Sequence, residues 1–374
     1  MKKGIILNLL LLLIAGLGRS QTQPSGCCFA NREVALTEKQ AELIFEHLGV
    51  FPEHTQLSIA FINEGKVYFS GVIYENDTIL FVNNRQSVFE IGSVSKVFTA
   101  SILASLVVEG KVCLDDSMND YLDIPLKDSI QVTFKQLANH TSGLPRMPSN
   151  FNAGLPFNPA NPYQNYGPDL LINYLTKHLE LVCKPGERSE YSNLGAGLLA
   201  FALARMSQSN YQELLNKYLL SKYGMANTTT NRANIASKLV KGLDQNGKET
   251  SNWDFSVLVG AGGILSTTED LAKFAMAQFD DSNQELKLTR MKTFQVDEHL
   301  TIGLGWHIVK SSDDNELYCH NGGTGGYSSS VALDVVRSSG IIVLSNVSAF
   351  HPQSAKIEQL CFSLVRTLEA TFEQ

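Results

Sequence analysis

A chain of 374 residues, 44% hydrophobic and 18% charged, is long enough for one large domain or two interlocked ones, and its balance excludes the disordered and fibrous classes. Its net charge of −7, with no dense Lys/Arg stripe, excludes nucleic acid as the main partner and fits a small neutral or mixed-charge ligand better.

At the start of the chain, Lys2 and Lys3 precede an apolar run at 5–15 and small residues at Gly16, Gly18 and Ser20, the pattern of an export signal spanning 1–20. The run is too short to span a bilayer and no later run is both long and apolar enough, so a secreted or periplasmic protein without a membrane span is expected once the signal is removed. Cys27 lies well beyond the apolar run, with Pro24 between, which argues against a lipid anchor there. Cys27, Cys28, Cys113, Cys183, Cys319 and Cys361 permit disulfides in an exported chain without fixing their pairing. No CxxC pair, HExxH or comparable cluster has metal-ligand spacing, so neither a metal nor a cofactor is expected.

Thr37 to Gln40 has capping-box spacing, and Ala41, Leu43, Ile44 and Leu48 continue it as an amphipathic helix ending near Gly49. Strand-like runs at 57–62 and 67–74, joined by Asn63-Glu64-Gly65, predict a hairpin. From 93 to 108 the apolar residues recur at helical spacing almost all round, which predicts a buried central helix. Short mixed elements follow at 111–139. Residues 140–168 carry Pro145, Pro148, Pro156, Pro159, Pro162 and Pro168, a loop suited to the rim of a pocket. Helical patterns return at 169–181, 194–206 and 211–218, and Gly260-Ala261-Gly262-Gly263 marks a tight backbone passage. Strands are predicted at 305–309, 316–320, 327–335 and 341–345, and a last helix at about 353–372. This order predicts an α+β fold. Residues 21–374 form the folded unit, its antiparallel sheet is built from both chain ends (about 35–110 and 260–374) with helices packed on it, and a mostly helical region (about 111–259) is inserted between.

The stretch "FEIGSVSKVF" sets Ser93 and Lys96 three apart at the start of that central helix. A serine hydroxyl becomes a nucleophile when a neighbouring base takes its proton, and a lysine does so once burial lowers its pKa. Residues i and i+3 share a helix face, and the helix start offers free backbone N–H groups for an oxyanion. By itself Ser-x-x-Lys arises by chance about once or twice in a chain this long. It is equally the first turn of a core helix, with Ser93 as its cap. Two more segments bear on the choice: Tyr191-Ser192-Asn193 ahead of a helix, and the run His320 to Tyr327, "HNGGTGGY", in the strand-rich part. No GxSxG elbow exists, which disfavours the α/β-hydrolase route, and the glycine run 322–326 lacks a full phosphate-loop signature.

Ser-x-x-Lys, Tyr-x-Asn and Lys/His-x-Gly in this order resemble the serine β-lactamase and penicillin-binding protein superfamily, in its class C β-lactamase and D-alanyl-D-alanine carboxypeptidase branch. "HTSGLP", "KPGERSEYSNLG" and "AGGILSTTEDLAKF" are also similar to stretches of that family, so the resemblance covers roughly residues 35 to 370. It implies a β-lactamase/transpeptidase-like fold and a hydrolase that forms an acyl-enzyme on Ser93, with Lys96 as proton partner. Tyr191 would be the base for attack and for the deacylating water, with the acid for the leaving group as a further role, once nearby cations lower its pKa. Asn193 would bind the acyl amide, His320 and Gly322 would line the substrate strand, and the backbone N–H groups of Ser93 and Gly323 would form the oxyanion hole. The resemblance implies β-lactam hydrolysis first, with D-amino-acid peptidase or esterase action as the alternative and a non-catalytic penicillin-recognising sensor as a reading of another class. His320 departs from the pattern: β-lactamases of this branch usually carry lysine there, which helps bind a substrate carboxylate. Residues 347–351 contain no arginine or lysine either. Among the remaining candidates, His140 reads as a loop-anchoring hydrogen bonder and Cys319 as an inert or paired strand cysteine.

Overall fold

The computed structural model describes residues 36–76, 78–153, 156–310 and 315–369, so the expected export signal, Cys27 and Cys28 lie outside the described residues. The capping box closes as predicted: the Thr37 hydroxyl accepts from Gln40 N, and helix α1 runs from Glu38 to Leu48. The hairpin is β1 (Gln56–Asn63) and β2 (Lys66–Glu75), turned through Glu64 and Gly65, both at positive φ, which matches the twist of the strands it joins.

Nine strands form one sheet. With β3 (Thr78–Phe81), β6 (Phe294–Gln295), β7 (Leu300–Ile302), β8 (His307–Lys310), β9 (Glu316–Gly323), β10 (Ser328–Asp334) and β11 (Ser339–Ser345), the order is β3-β2-β1-β11-β10-β9-β8-β7-β6. Every pairing is antiparallel, and β1 from the first part of the chain lies beside β11 from the last. A two-stranded ladder, β4 (Phe89–Glu90) with β5 (Leu265–Ser266), sits apart from it.

Alternation along the central strands sends side chains into two cores. Ala60, Ile62, Val331, Leu333, Ile342 and Leu344 join the larger core, together with α2 (Ser95–Val108), α3 (Asn193–Met206) and α4 (Thr268–Gln278). Leu57, Ile59, Phe61, Ala332, Ile341 and Val343 face the other way, against α1 and α5 (Ala355–Glu369). Helix α2 is buried from Ser95 to Leu106, as its all-round apolar pattern requires, and Phe98 stacks on Phe274 of α4 at 4.4 Å between ring centroids. Among the described residues Cys113, Cys183, Cys319 and Cys361 are free thiols, and no helix is long and apolar enough to cross a membrane.

The differences from the sequence expectations are local. Strand β9 runs three residues past His320, because Gly323 still pairs with Ser328 of β10. The helix expected at 169–181 is α-helical only over Pro168–Asn173 and continues as a wider π turn to His178, and the one expected at 211–218 widens likewise at Asn216–Leu220. Strands β3, β6 and β7 are short and partly exposed, too short for an alternation pattern. Because Phe98 is fully buried in that stack, Phe98→Ala is expected to cost about 3–5 kcal/mol of folding stability. Urea denaturation reads this as a lower midpoint, and an unchanged midpoint would remove the stack from the stabilising core.

Candidate active site

Three chain segments are drawn onto the turn between β4 and α2. Ile91 N donates to Ile264 O at 3.1 Å, and Ile264 N donates to Ser95 Oγ at 3.1 Å, which ties the turn to the β5 segment. Gly92 takes φ +50°, and Ser93 lies in a single 3-10 turn, Gly92–Val94, ahead of the α-helix rather than within it. Strands β9 and β10 press on this turn: Ser329 Oγ of β10 donates to Ile91 O at 2.8 Å, and a Cβ on Gly322 of β9 would stand 2.1 Å from Ile91 O and 2.8 Å from Ser93 N. A Cβ on Gly92 would stand 2.5 Å from Gly323 N. The glycines therefore make room for the turn itself, where the sequence suggested room for substrate. Their closeness sets the Gly323 backbone alongside Ser93.

Lys96 is 3% exposed, and its amine meets three partners: Ser93 Oγ at 2.9 Å, Asn193 Oδ1 at 2.9 Å and Ala261 O at 2.7 Å. Burial, helped by the charge of Arg146, holds its pKa well below the ordinary lysine value. Asn193 opens α3, whose N-cap Ser192 accepts from Gly195 N and donates to Pro145 O at 2.7 Å. The Asn193 backbone N–H donates to Arg146 O at 3.0 Å, so the loop 140–147 and the start of α3 are fixed to each other.

Tyr191 hydrogen-bonds Ser93 through its phenol. Burial pushes that phenol up to about 12, while the Ser93 bond and Arg146 pull less strongly the other way. The sequence expectation of a phenol lowered by nearby cations is thus reversed, because desolvation outweighs them. His140 packs on the Tyr191 ring at 4.6 Å and accepts Ser192 N at Nδ1, a loop anchor in this geometry. His320 is 2% exposed, 6.4 Å from the Tyr191 ring and stacked on His307 at 5.0 Å. Its Nδ1 lies 2.6 Å from Asn321 O, and its Nε2 has no partner among the described residues. Burial holds all three imidazoles neutral. The structure buries His320 between the Tyr191 and His307 rings, and like Lys96 and Tyr191 it is not among the residues that line the cavity.

The cavity over Ser93 has a volume of about 260 Å³. Asn193, Gly323 and Ala261 contribute to its lining, with Arg146, Met147, Tyr163, Trp253, Phe255 and Phe350 as further residues that the motifs do not reveal. Met147 and Tyr163 come from the proline-rich loop, and Tyr163 stacks on Phe255 at 4.1 Å. Glu90 was also missed. It is buried three residues before Ser93, where its Oε1 accepts Trp253 N at 2.9 Å and Asn252 Nδ2 at 2.7 Å and so holds the aromatic wall. A lone acid inside the apolar run "VFEIG" was its only sequence signal.

Two predictions follow from this packing. Gly322→Ala forces β9 off the nucleophile turn and is expected to slow covalent labelling of Ser93 by an activated ester about 100-fold. An unchanged labelling rate would remove the glycine contact from the site. Burial raises the Glu90 carboxyl from 4.5 to about 7, so its contribution to stability is complete below the ordinary value and is lost as pH rises through 7. In urea denaturation the stability of the wild type relative to Glu90→Gln should fall by on the order of 3 kcal/mol between pH 5 and pH 8, the opposite contribution of the buried neutral histidines being common to both proteins. Equal losses in both proteins would contradict it.

The Beta-lactamase family model matches residues 52–360. Protein flp of Staphylococcus aureus (strain MW2) is 25% identical over 337 residues, which cover 84% of this chain and 64% of that protein, so the chain spans less than two thirds of that relative. A beta-lactamase of Pseudomonas fluorescens is 24% identical over 341 residues, covering 81% of this chain and 90% of its own. Among solved structures, a class C beta-lactamase superposes with a TM-score of 0.73 at 21% identity, over 88% of this chain and 96% of the other, a likeness of fold.

Proposed function

Because the chain belongs to the beta-lactamase family, we propose that it is a serine hydrolase that acylates Ser93 and passes the acyl group to water. The observation that carries this reading is the set of partners around the Lys96 amine. A neutral amine has two N–H donors and one lone pair. Asn193 Oδ1 and Ala261 O take the two donors, which leaves the lone pair for the Ser93 hydroxyl. The depressed Lys96 pKa supports the same protonation state.

In this mechanism Lys96 takes the Ser93 proton as Oγ bonds to the carbonyl carbon, and the backbone N–H groups of Ser93 and Gly323 receive the oxyanion. Tyr191, which keeps its proton to about 12, gives it to the leaving group as the bond to carbon breaks, and Lys96 restores it. Water then attacks the acyl carbon and loses a proton to the same pair, which passes it to Ser93 Oγ as the Oγ–carbon bond breaks, so that free Ser93 and the carboxylic acid are the products. Of the base and acid roles that the family resemblance implied for Tyr191, this mechanism uses the acid. Asn193 Nδ2 faces the acyl side beside Tyr163, to whose hydroxyl oxygen it donates at 3.2 Å.

Esters or amides with an uncharged leaving group fit this site best. A leaving-group carboxylate has no cation to meet, since His320 is buried and neutral and residues 347–351 hold no lysine or arginine. β-Lactam hydrolysis is the second reading, supported by the family match and the Pseudomonas relative. The leader-like residues 1–20 support export as the route to such substrates.

Intact mass spectrometry after brief exposure to a fluorescent penicillin, and separately to a 4-nitrophenyl ester, tests the reading. The expected outcome is an adduct on the wild type and none on Ser93→Ala, with the ester turned over faster than the penicillin. No adduct from either reagent would leave a non-catalytic binding protein as the better account. The pH dependence of kcat/KM for the ester is expected to rise once, well below the ordinary lysine value, and then stay level to pH 10 as Lys96 remains neutral and Tyr191 protonated. A continued tenfold rise per pH unit to pH 10 would assign the base role to Tyr191 instead.

A further inference from the structure

Arg146 is the one charged residue that lines the cavity over Ser93. Its guanidinium carbon lies 5.1 Å over the Tyr191 ring, and it makes no ion pair among the described residues. The neighbouring carboxylates are engaged elsewhere: Asp254 is held by Arg232 at 2.8 Å and by Asn161 Nδ2 at 2.9 Å, and Glu190 by Arg188 at 2.6 Å. A chain of net charge −7 thus carries a cavity whose single charge is an unpaired cation.

The position of that cation matters as much as its sign. The Arg146 carbonyl accepts the backbone N–H groups of Asn193 at 3.0 Å and Leu194 at 3.2 Å, which pins the residue to the start of α3 on the acyl side of Ser93. Beside it Met147, Tyr163 and Phe255 offer an apolar surface. On the β9 side, Gly323, Ala349 and Phe350 offer no charge at all.

We propose that Arg146 is a specificity-determining residue and that the substrate's acyl group carries an anion, a carboxylate on an apolar, ring-sized body. The inference rests on the Ser93 acyl-enzyme reading. In the reaction the ester carbon–oxygen bond breaks, the Ser93 Oγ–carbon bond forms and is then hydrolysed, and the products are the alcohol or phenol and an acid that bears a second carboxylate. The guanidinium pairs with that second carboxylate and takes no part in the bond changes.

The test compares three 4-nitrophenyl phenylacetates whose ring bears a para carboxylate, methyl or trimethylammonium group, using wild type, Arg146→Ala, Arg146→Glu and Ser93→Ala, with thermal melts to establish that each variant is folded. The wild type is expected to favour the carboxylate over the methyl ester by about fivefold to tenfold in kcat/KM, the size of a solvent-accessible charge-assisted pair. Arg146→Ala should abolish that preference and Arg146→Glu should turn it toward trimethylammonium. An unchanged carboxylate-to-methyl ratio in both variants overturns the proposal. A slowing of all three esters by one common factor, with a displaced pH profile, also overturns it, by showing that Arg146 acts only through Tyr191. Turnover by Ser93→Ala equal to wild type, or no turnover of any ester by wild type, instead brings down the acyl-enzyme reading on which the proposal rests.

Discussion

The buried amine of Lys96 is the contact on which the rest of the site depends. It joins Ser93, Asn193 and Ala261, the last of them 165 positions further along the chain, at distances of 2.7 to 2.9 Å. Among the described residues no carboxylate pairs with it to balance a charge, and the charge that acts on it is the like charge of Arg146. A cation left in that environment would be costly, so the fold itself selects the neutral amine. The same desolvation drives His140, His307 and His320 neutral and keeps the Tyr191 proton in place. One physical cause, exclusion of water without compensating charge, thus sets every protonation state around Ser93.

Much of this was legible in the sequence because it is local. The Thr37 capping box, the hairpin turn at Glu64-Gly65, the all-round apolar α2 and the alternating strands of the sheet each follow from residues within one or two turns of each other. Three ordered motifs also singled out Ser93, Lys96, Tyr191 and Asn193, which the fold brings together. What was hidden depends on long-range placement. Nothing near His320 foretells that it lies between the Tyr191 and His307 rings, since that is decided by where β8 and β9 pair. Gly322 was expected along the substrate strand and Gly323 at the oxyanion hole, and the close approach of both to Ile91, Gly92 and Ala349, which are remote in the chain, is not foretold by their own neighbours in sequence.

Desolvation was the second hidden quantity. Proximity to cations suggested a lowered Tyr191, but the balance between charge and burial needs the folded surroundings. Glu90 illustrates the same gap. Its carboxyl anchors Trp253 and Asn252 from below, a role visible only when residues 163 positions apart are set together. The aromatic wall and the site floor are therefore coupled through the short β4 segment that leads into Ser93.

The pairing of β1 with β11 has a bearing on how the protein is made. A ribosome delivers β1 and β2 early, yet the partner that completes their inner edge is Ser339–Ser345, close to the end of the chain. Until then the hairpin carries an open row of backbone donors and acceptors, and α2 has no sheet face to cover. Contacts this distant in sequence form slowly, so assembly of the nucleophile turn is postponed until synthesis is nearly finished. A chain stopped before β9 would lack the glycine backbone that packs on the Gly92–Val94 turn, and Lys96 would stand at the start of α2 without the strand that closes the site.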